Sequence, residues 1–121
     1  MISIEGIVIE GKKISRNIGF PTLNLELYET WPFNYGVYAG IMEHNGECYY
    51  GAINIGVTPY FGINKPKLEI HVFDFDQNLY GKKIKVIPLH FLRDEMTFNN
   101  IEELTQQIKN DCDLAKKLLG I

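Results

Sequence analysis

Asn45-Gly46 restricts the fold of this chain more than any other dipeptide in it. Both central positions of a two-residue type I′ turn need φ > 0, and Asn followed by Gly meets that demand at little cost. On either side stand β-prone runs, Gly36-Val37-Tyr38-Ala39-Gly40-Ile41-Met42 and Glu47-Cys48-Tyr49-Tyr50-Gly51-Ala52-Ile53-Asn54-Ile55, which are expected to pair as antiparallel strands. Residues 1–9 alternate Ile2, Ile4, Gly6 and Val8 against Ser3, Glu5, Ile7 and Ile9 with no helix cap, and read as another strand. Leu25 and Leu27 continue an extended pattern after Asn24. Residues 68–75 form a strand with Leu68, Ile70 and Val72 on one face and Glu69, His71, Phe73 and Phe75 on the other. A further strand over 82–91 puts Ile84 and Val86 on one face, and Pro88 marks a bulge or an edge. Residues 92–98 read as a charged loop with an apolar end.

The one helix is expected over 99–119. Asn99-Asn100 supplies the cap, Glu102 or Glu103 completes a capping box, and Gly120 is the stop. Its apolar face is Ile101, Leu104, Ile108, Cys112, Ala115 and Leu119. Six or so strands followed by a helix imply a mainly β fold, a small closed or nearly closed antiparallel barrel with the helix laid against it. No repeat or linker divides the 121 residues, so 1–121 is expected to be one domain. Trp31 and Phe33 are expected to cover the core, and residues 56–67 form a longer loop that could lie over a site.

Composition narrows the partners. Hydrophobic residues at 45% against 22% charged support a real core, and an aromatic share of 12% leans towards β structure. A net charge of −3 with no long basic run argues against nucleic acid, because phosphate neutralisation drives such binding. Lys12-Lys13 with Arg16 could still serve a small polyphosphate. Cys48 and Cys112 lack metal-ligand spacing, as expected of reduced thiols in a cytosolic protein. With no basic leader and no apolar run of membrane-spanning length, a cytoplasmic monomer without a membrane partner is expected.

Several chemistries find no support. Gly6-Ile7-Val8-Ile9-Glu10-Gly11-Lys12-Lys13 falls one residue short of a Walker A loop, with Lys13 where a Ser or Thr must hold Mg²⁺. Ser occurs only at Ser3 and Ser15, without a nucleophile elbow. His44, His71 and His90 have no paired zinc spacing, and each reads as a surface or strand residue. There is no G-x-G-x-x-G.

Two features remain. In Gly19-Phe20-Pro21-Thr22-Leu23-Asn24, Pro21 fixes φ and holds Phe20 extended, so Thr22 and Asn24, if extended, point to one side. They are either turn residues bonding local backbone or an oxygen pair for a phosphate-bearing Mg²⁺, which takes few protein ligands. Glu69 is either a solvated edge carboxylate or one held beside an apolar pocket, where desolvation raises its pKa. Together with the basic loop, these are the minimum kit for moving a phosphoryl group onto an alcohol.

The order and spacing of Gly11, Gly19-Phe20-Pro21-Thr22-Leu23-Asn24, Asn54-Ile55-Gly56, Pro59-Tyr60-Phe61, Leu68-Glu69-Ile70-His71, Asp74-Phe75, Leu79-Tyr80-Gly81 and Leu92-Arg93-Asp94-Glu95 with Phe98 resemble the riboflavin kinase family over nearly the whole chain. The resemblance implies a six-stranded antiparallel closed barrel with a C-terminal helix, and transfer of the ATP γ-phosphoryl group to the ribityl 5′-hydroxyl of riboflavin, giving FMN and ADP. It also implies Thr22 and Asn24 as ligands of Mg²⁺, with Mn²⁺ or Zn²⁺ as alternatives, and Glu69 as general base. By the same resemblance Gly11, Arg16, Gly19, Pro21, Thr22, Asn24, Val72, Asp74 and Tyr80 fall at ATP, and Arg93, Met96 and Phe98 at the flavin. Ile14-Ser15-Arg16 departs from the Arg-Gly-Arg common in bacterial members, and Thr58 and Met96 replace larger polar or basic residues. No adenylyltransferase module precedes the first strand, so kinase activity alone is expected. The competing expectation is a non-catalytic flavin or nucleotide sensor on the same barrel.

Overall fold

The computed structural model describes residues 2–10, 19–26, 34–57 and 66–121. Within them β1 (Ile4–Ile9), β2 (Leu23–Glu26), β3 (Gly36–His44), β4 (Glu47–Val57), β5 (Pro66–Val72) and β6 (Lys83–Asp94) precede α1 (Ile101–Leu119). The strands close into an antiparallel barrel in the order β1-β2-β5-β4-β3-β6. Closure pairs both edges of every strand, so the sheet has no free edge along its ladder.

Alternation sets which side chains enter. Leu25, Leu68 and Ile55 stand opposite one another across β2, β5 and β4, and all three are buried in the barrel with Ile53, Ile70 and Val86. Truncating one, for instance Ile70→Ala, removes packing worth about 2–5 kcal/mol. The hairpin between β3 and β4 turns at Asn45 (φ 51°) and Gly46 (φ 79°), as the dipeptide requires.

α1 lies on the outside of the barrel against β3, β4 and β6. Cys112 and Ala115 of the helix join Ala39 and Phe73 in a second apolar cluster, bordered by Phe20, Ala52, Leu92, Ile108 and Leu119. Small residues at positions 39 and 52 let the helix approach the wall. Asn100 caps it by accepting from Glu103 N at 2.9 Å, and Gly120 (φ 76°) ends it. Glu103 accepts in return from Asn99 N, one residue ahead of the cap.

Four expectations change. The fifth strand stops at Val72, because Asp74 adopts a left-handed φ of 53° and Phe73 N donates to Tyr50 O. Phe75 is thereby turned away from the Glu69 face and packs edge-on to Tyr49 beside the main core. β6 runs on to Asp94, since Arg93 and Asp94 pair with Val37 and Gly36. Register shifts bracket Ala39 and Tyr38 along β3, the irregularity foreshadowed by Pro88. Finally, the helix starts at Ile101, which is 51% exposed; its first turn is held by capping and not by burial. Leu27, Trp31, Phe33 and most of the 56–67 loop lie outside the described residues.

Candidate active site

Directly paired residues of antiparallel strands share a face. Asn24, Glu69 and Asn54 are so paired across β2, β5 and β4, one step from the inward Leu25-Leu68-Ile55 row. They therefore face out of the barrel, and His71, opposite Ala52, follows on the same side. Helix and wall enclose a cleft of about 130 Å³. Thr22, Val37, Ala52, Asn54, Glu69 and His71 form its floor, Phe20 one side, and Arg93, Glu95, Met96, Phe98, Leu104, Ile108 and Asp111 the other.

A second cleft, about 470 Å³, opens where β1, β2 and β5 meet the segment after the fifth strand. It is lined by Val8 to Glu10, Pro21 to Asn24, Ile70, Val72, Phe75 to Asn78 and Tyr80. Thr22 borders both clefts, with Glu69 on the first and Asn24 on the second.

Burial pushes the Glu69 carboxyl above the ordinary carboxylate range, and the nearby Lys67 ammonium pulls it partly back. Glu95 is also raised by burial. Its carboxylate lies over Gly56, and any side chain at position 56 would overlap it. Arg93 makes three hydrogen bonds: Nε and Nη2 each donate to Asp111 at 2.8 Å and Nη1 donates to Asp94 O at 3.0 Å. Gln107 Nε2 adds a further bond to Asp111 Oδ1 at 2.9 Å. This buried fork ties the end of β6 to the middle of α1 across the cleft.

His71 Nδ1 lies 2.8 Å from Pro21 O. A carbonyl only accepts, so Nδ1 carries the proton and donates. The ring is edge-on to Phe20 and Phe73, with centroids 5.5 and 5.8 Å away.

The sequence-predicted residues divide as follows. Thr22, Glu69, Arg93, Met96 and Phe98 meet at the first cleft; Pro21, Thr22, Asn24, Val72 and Tyr80 meet at the second. Gly19 (φ 93°) and Asp74 are exposed and line neither, because the left-handed turn at Asp74 carries it past the wall. Gly11 and Arg16 lie outside the described residues. Sequence reasoning missed Asn54, Glu95, Gln107 and Asp111 and gave His71 no role. Asp111 left a signal: it is seven residues after Leu104, a charged side chain inside the helix's apolar stripe.

No group of three or more His, Cys, Asp or Glu among the described residues is arranged to hold a metal. An all-protein cage is therefore not what this site offers. Asn24 is only 8% exposed, and among the described residues neither its side-chain amide nor the Thr22 hydroxyl has a hydrogen-bond partner. A buried amide left unpaired costs about 1–3 kcal/mol, so a ligand oxygen site there fits one or two protein donors to Mg²⁺ with phosphates and water completing the shell.

The barrel with its outer helix is a known architecture. It superposes on a Streptococcus pneumoniae chain titled a macrolide-efflux protein with TM-score 0.85 and 30% identity, over 94% of this chain and 38% of that one. It shares its fold with a riboflavin kinase from Trypanosoma brucei, at TM-score 0.70 and 23% identity over 98% of this chain and 79% of that one. The family described as "Flavokinase: Riboflavin kinase" matches residues 1–119, and this chain belongs to that family. Two Bacillus subtilis proteins are similar to it. A bifunctional riboflavin kinase/FMN adenylyltransferase is 46% identical over 89% of this chain and 35% of its own length. The RNA-binding riboflavin kinase RibR is 40% identical over 100% of this chain and 54% of its own length. The chain thus spans about a third to a half of these relatives.

Proposed function

We propose that this chain transfers the γ-phosphoryl group of ATP to the 5′-hydroxyl of riboflavin, releasing FMN and ADP. The observation that carries the reading is Thr22, shared between an apolar cleft that holds a desolvated carboxylate and a larger polar cleft. Two substrates that must meet end to end need such an arrangement. Riboflavin lies in the first cleft between the Phe20-His71 side and Met96-Phe98, and the nucleotide in the second, towards Val72 and Tyr80. Glu69 accepts the proton of the 5′-hydroxyl as its oxygen bonds to the γ-phosphorus and the bond to the β-phosphate oxygen breaks. A carboxyl raised by desolvation is a better base than a solvated one.

Thr22 and Asn24 would hold the divalent cation, Mg²⁺ in the first instance, with Mn²⁺ and Zn²⁺ as alternatives. When bound, it neutralises charge on the phosphates. Arg93, already paired with Asp111, acts as a strut that sets the width of the flavin cleft, and not as a free charge. Residues 1–121 act as one unit in this reading, as a monomer in the cytoplasm. Among the described residues no helix is long and apolar enough to cross a membrane. Nucleic acid is not a partner in this reading, given the net charge of −3, and RibR's named RNA binding makes a gel shift with RNA the direct check.

The test is to incubate the protein with riboflavin and MgATP and separate flavins by chromatography, beside Glu69→Gln. FMN from the wild type alone supports kinase and base together. Riboflavin quenching without FMN would replace the kinase by a flavin sensor.

A further inference from the structure

β2 and β5 pair from Leu23↔Ile70 to Glu26↔Lys67, and no backbone pair is formed beyond Leu23. Thr22, on which both clefts depend, therefore lies outside the ladder that fixes its neighbours. What reaches across at this point is a side chain. The His71 Nδ1–H bond to the Pro21 carbonyl, 2.8 Å long, continues the β2–β5 connection one step past its last backbone pair. The peptide that it grips is the Pro21-Thr22 peptide, whose plane sets the direction in which Thr22 leaves the chain. Pro21 has no N–H and a fixed φ, so rotation of that peptide about the Pro21 ψ is the freedom left to remove. The ring is itself confined edge-on by Phe20 and Phe73.

We propose that His71 is a positioning residue: through its Nδ1–H bond to Pro21 O it orients Thr22 for the Mg-nucleotide, at the junction of the two clefts. This rests on the kinase reading above. Its role is distinct from that of Glu69, two residues earlier on the same face, because it acts through the backbone of β2's approach and takes no proton from the substrate.

Isosteres separate the bond from mere bulk. The amide nitrogen of Asn stands near the place of Nδ1, whereas that of Gln stands near Nε2. His71→Ala and His71→Gln should weaken MgADP binding, measured by calorimetry, by about 10–100-fold, the usual loss when a ligand's supporting hydrogen bond is removed. His71→Asn should recover most of it. Nitrogen-detected NMR of the wild type should find His71 protonated at Nδ1.

The proposal is overturned if His71→Ala binds MgADP as the wild type does, or if His71→Asn is as weak as His71→Gln. An Nε2–H tautomer in the folded protein overturns it without any ligand. A wild type that neither binds MgADP nor forms FMN overturns the kinase reading together with this one. A wild type that does both, with an unaffected His71→Ala, overturns this one alone.

Discussion

The two clefts that meet at Thr22 are built from opposite materials. The one under α1 is small, walled by aromatic and aliphatic side chains, and holds two carboxyl groups, Glu69 and Glu95, that burial makes reluctant to ionise. The one at the β1-β2-β5 side is larger and bordered by Glu10, Asp76, Gln77 and Asn78. Under the proposed reaction, desolvation would be concentrated on the side where a proton is taken, and polar surface on the side where a polyphosphate is held. A single residue joining unlike compartments lets each be tuned without disturbing the other.

If that division is real, substitutions should separate cleanly by cleft. The largest effect is expected at Glu69: Glu69→Gln should lower kcat about 10²–10⁴-fold while riboflavin still quenches normally. Equal losses of turnover and flavin binding would mean that the carboxylate holds the flavin and does not accept its proton. Next comes the strut. Asp111→Ala strands the Arg93 guanidinium in the cleft wall and should cost about 3–5 kcal/mol in denaturant unfolding, with riboflavin affinity falling more than MgADP affinity. On the other side of the boundary, Asn24→Ala should weaken MgADP about 10–100-fold and leave riboflavin binding unchanged. A matching loss of riboflavin affinity would join the two compartments into one.

The same carboxylate gives a pH test. Because burial raises Glu69 in the folded state, the folded chain keeps that proton to higher pH than the unfolded chain does. Stability contributed at this position is therefore highest below the unfolded carboxylate value and declines as pH rises through the folded one. Glu69→Gln should flatten that part of the stability–pH curve. The acid limb of the wild-type kcat profile should lie above the ordinary carboxylate range. Smallest of all, Asn100→Ala, remote from both clefts, should cost about 1 kcal/mol of stability and leave both affinities as they were.

Much of this was legible in the chain. The Asn45-Gly46 turn, the Asn100 cap, the Gly120 stop and the alternation that sets Glu69 apart from Leu68 and Ile70 are each written within a few residues. The misreadings have equally local causes. Asp74 looked like one more strand residue, yet its positive φ moved Phe75 to the core side. Residues 92–94 looked like loop because they are charged, yet their backbone finds partners in Gly36 and Val37, more than fifty positions away. Asp111 drew no reading, although it sits among the helix's apolar positions and is buried.

Strand number, turn type, helix limits and the Thr22-Asn24 and Glu69 pattern are properties of short segments, since periodicity and backbone dihedral preference act over one or two turns of chain. The closure of the barrel, the meeting of Thr22 with Glu69, the Arg93–Asp111 fork and the grip of His71 on Pro21, fifty residues earlier, belong to another level. They depend on which strand pairs with which and in what register, and a slip of one residue in β5 or β6 would send Glu69 and His71, or Arg93, to the opposite face.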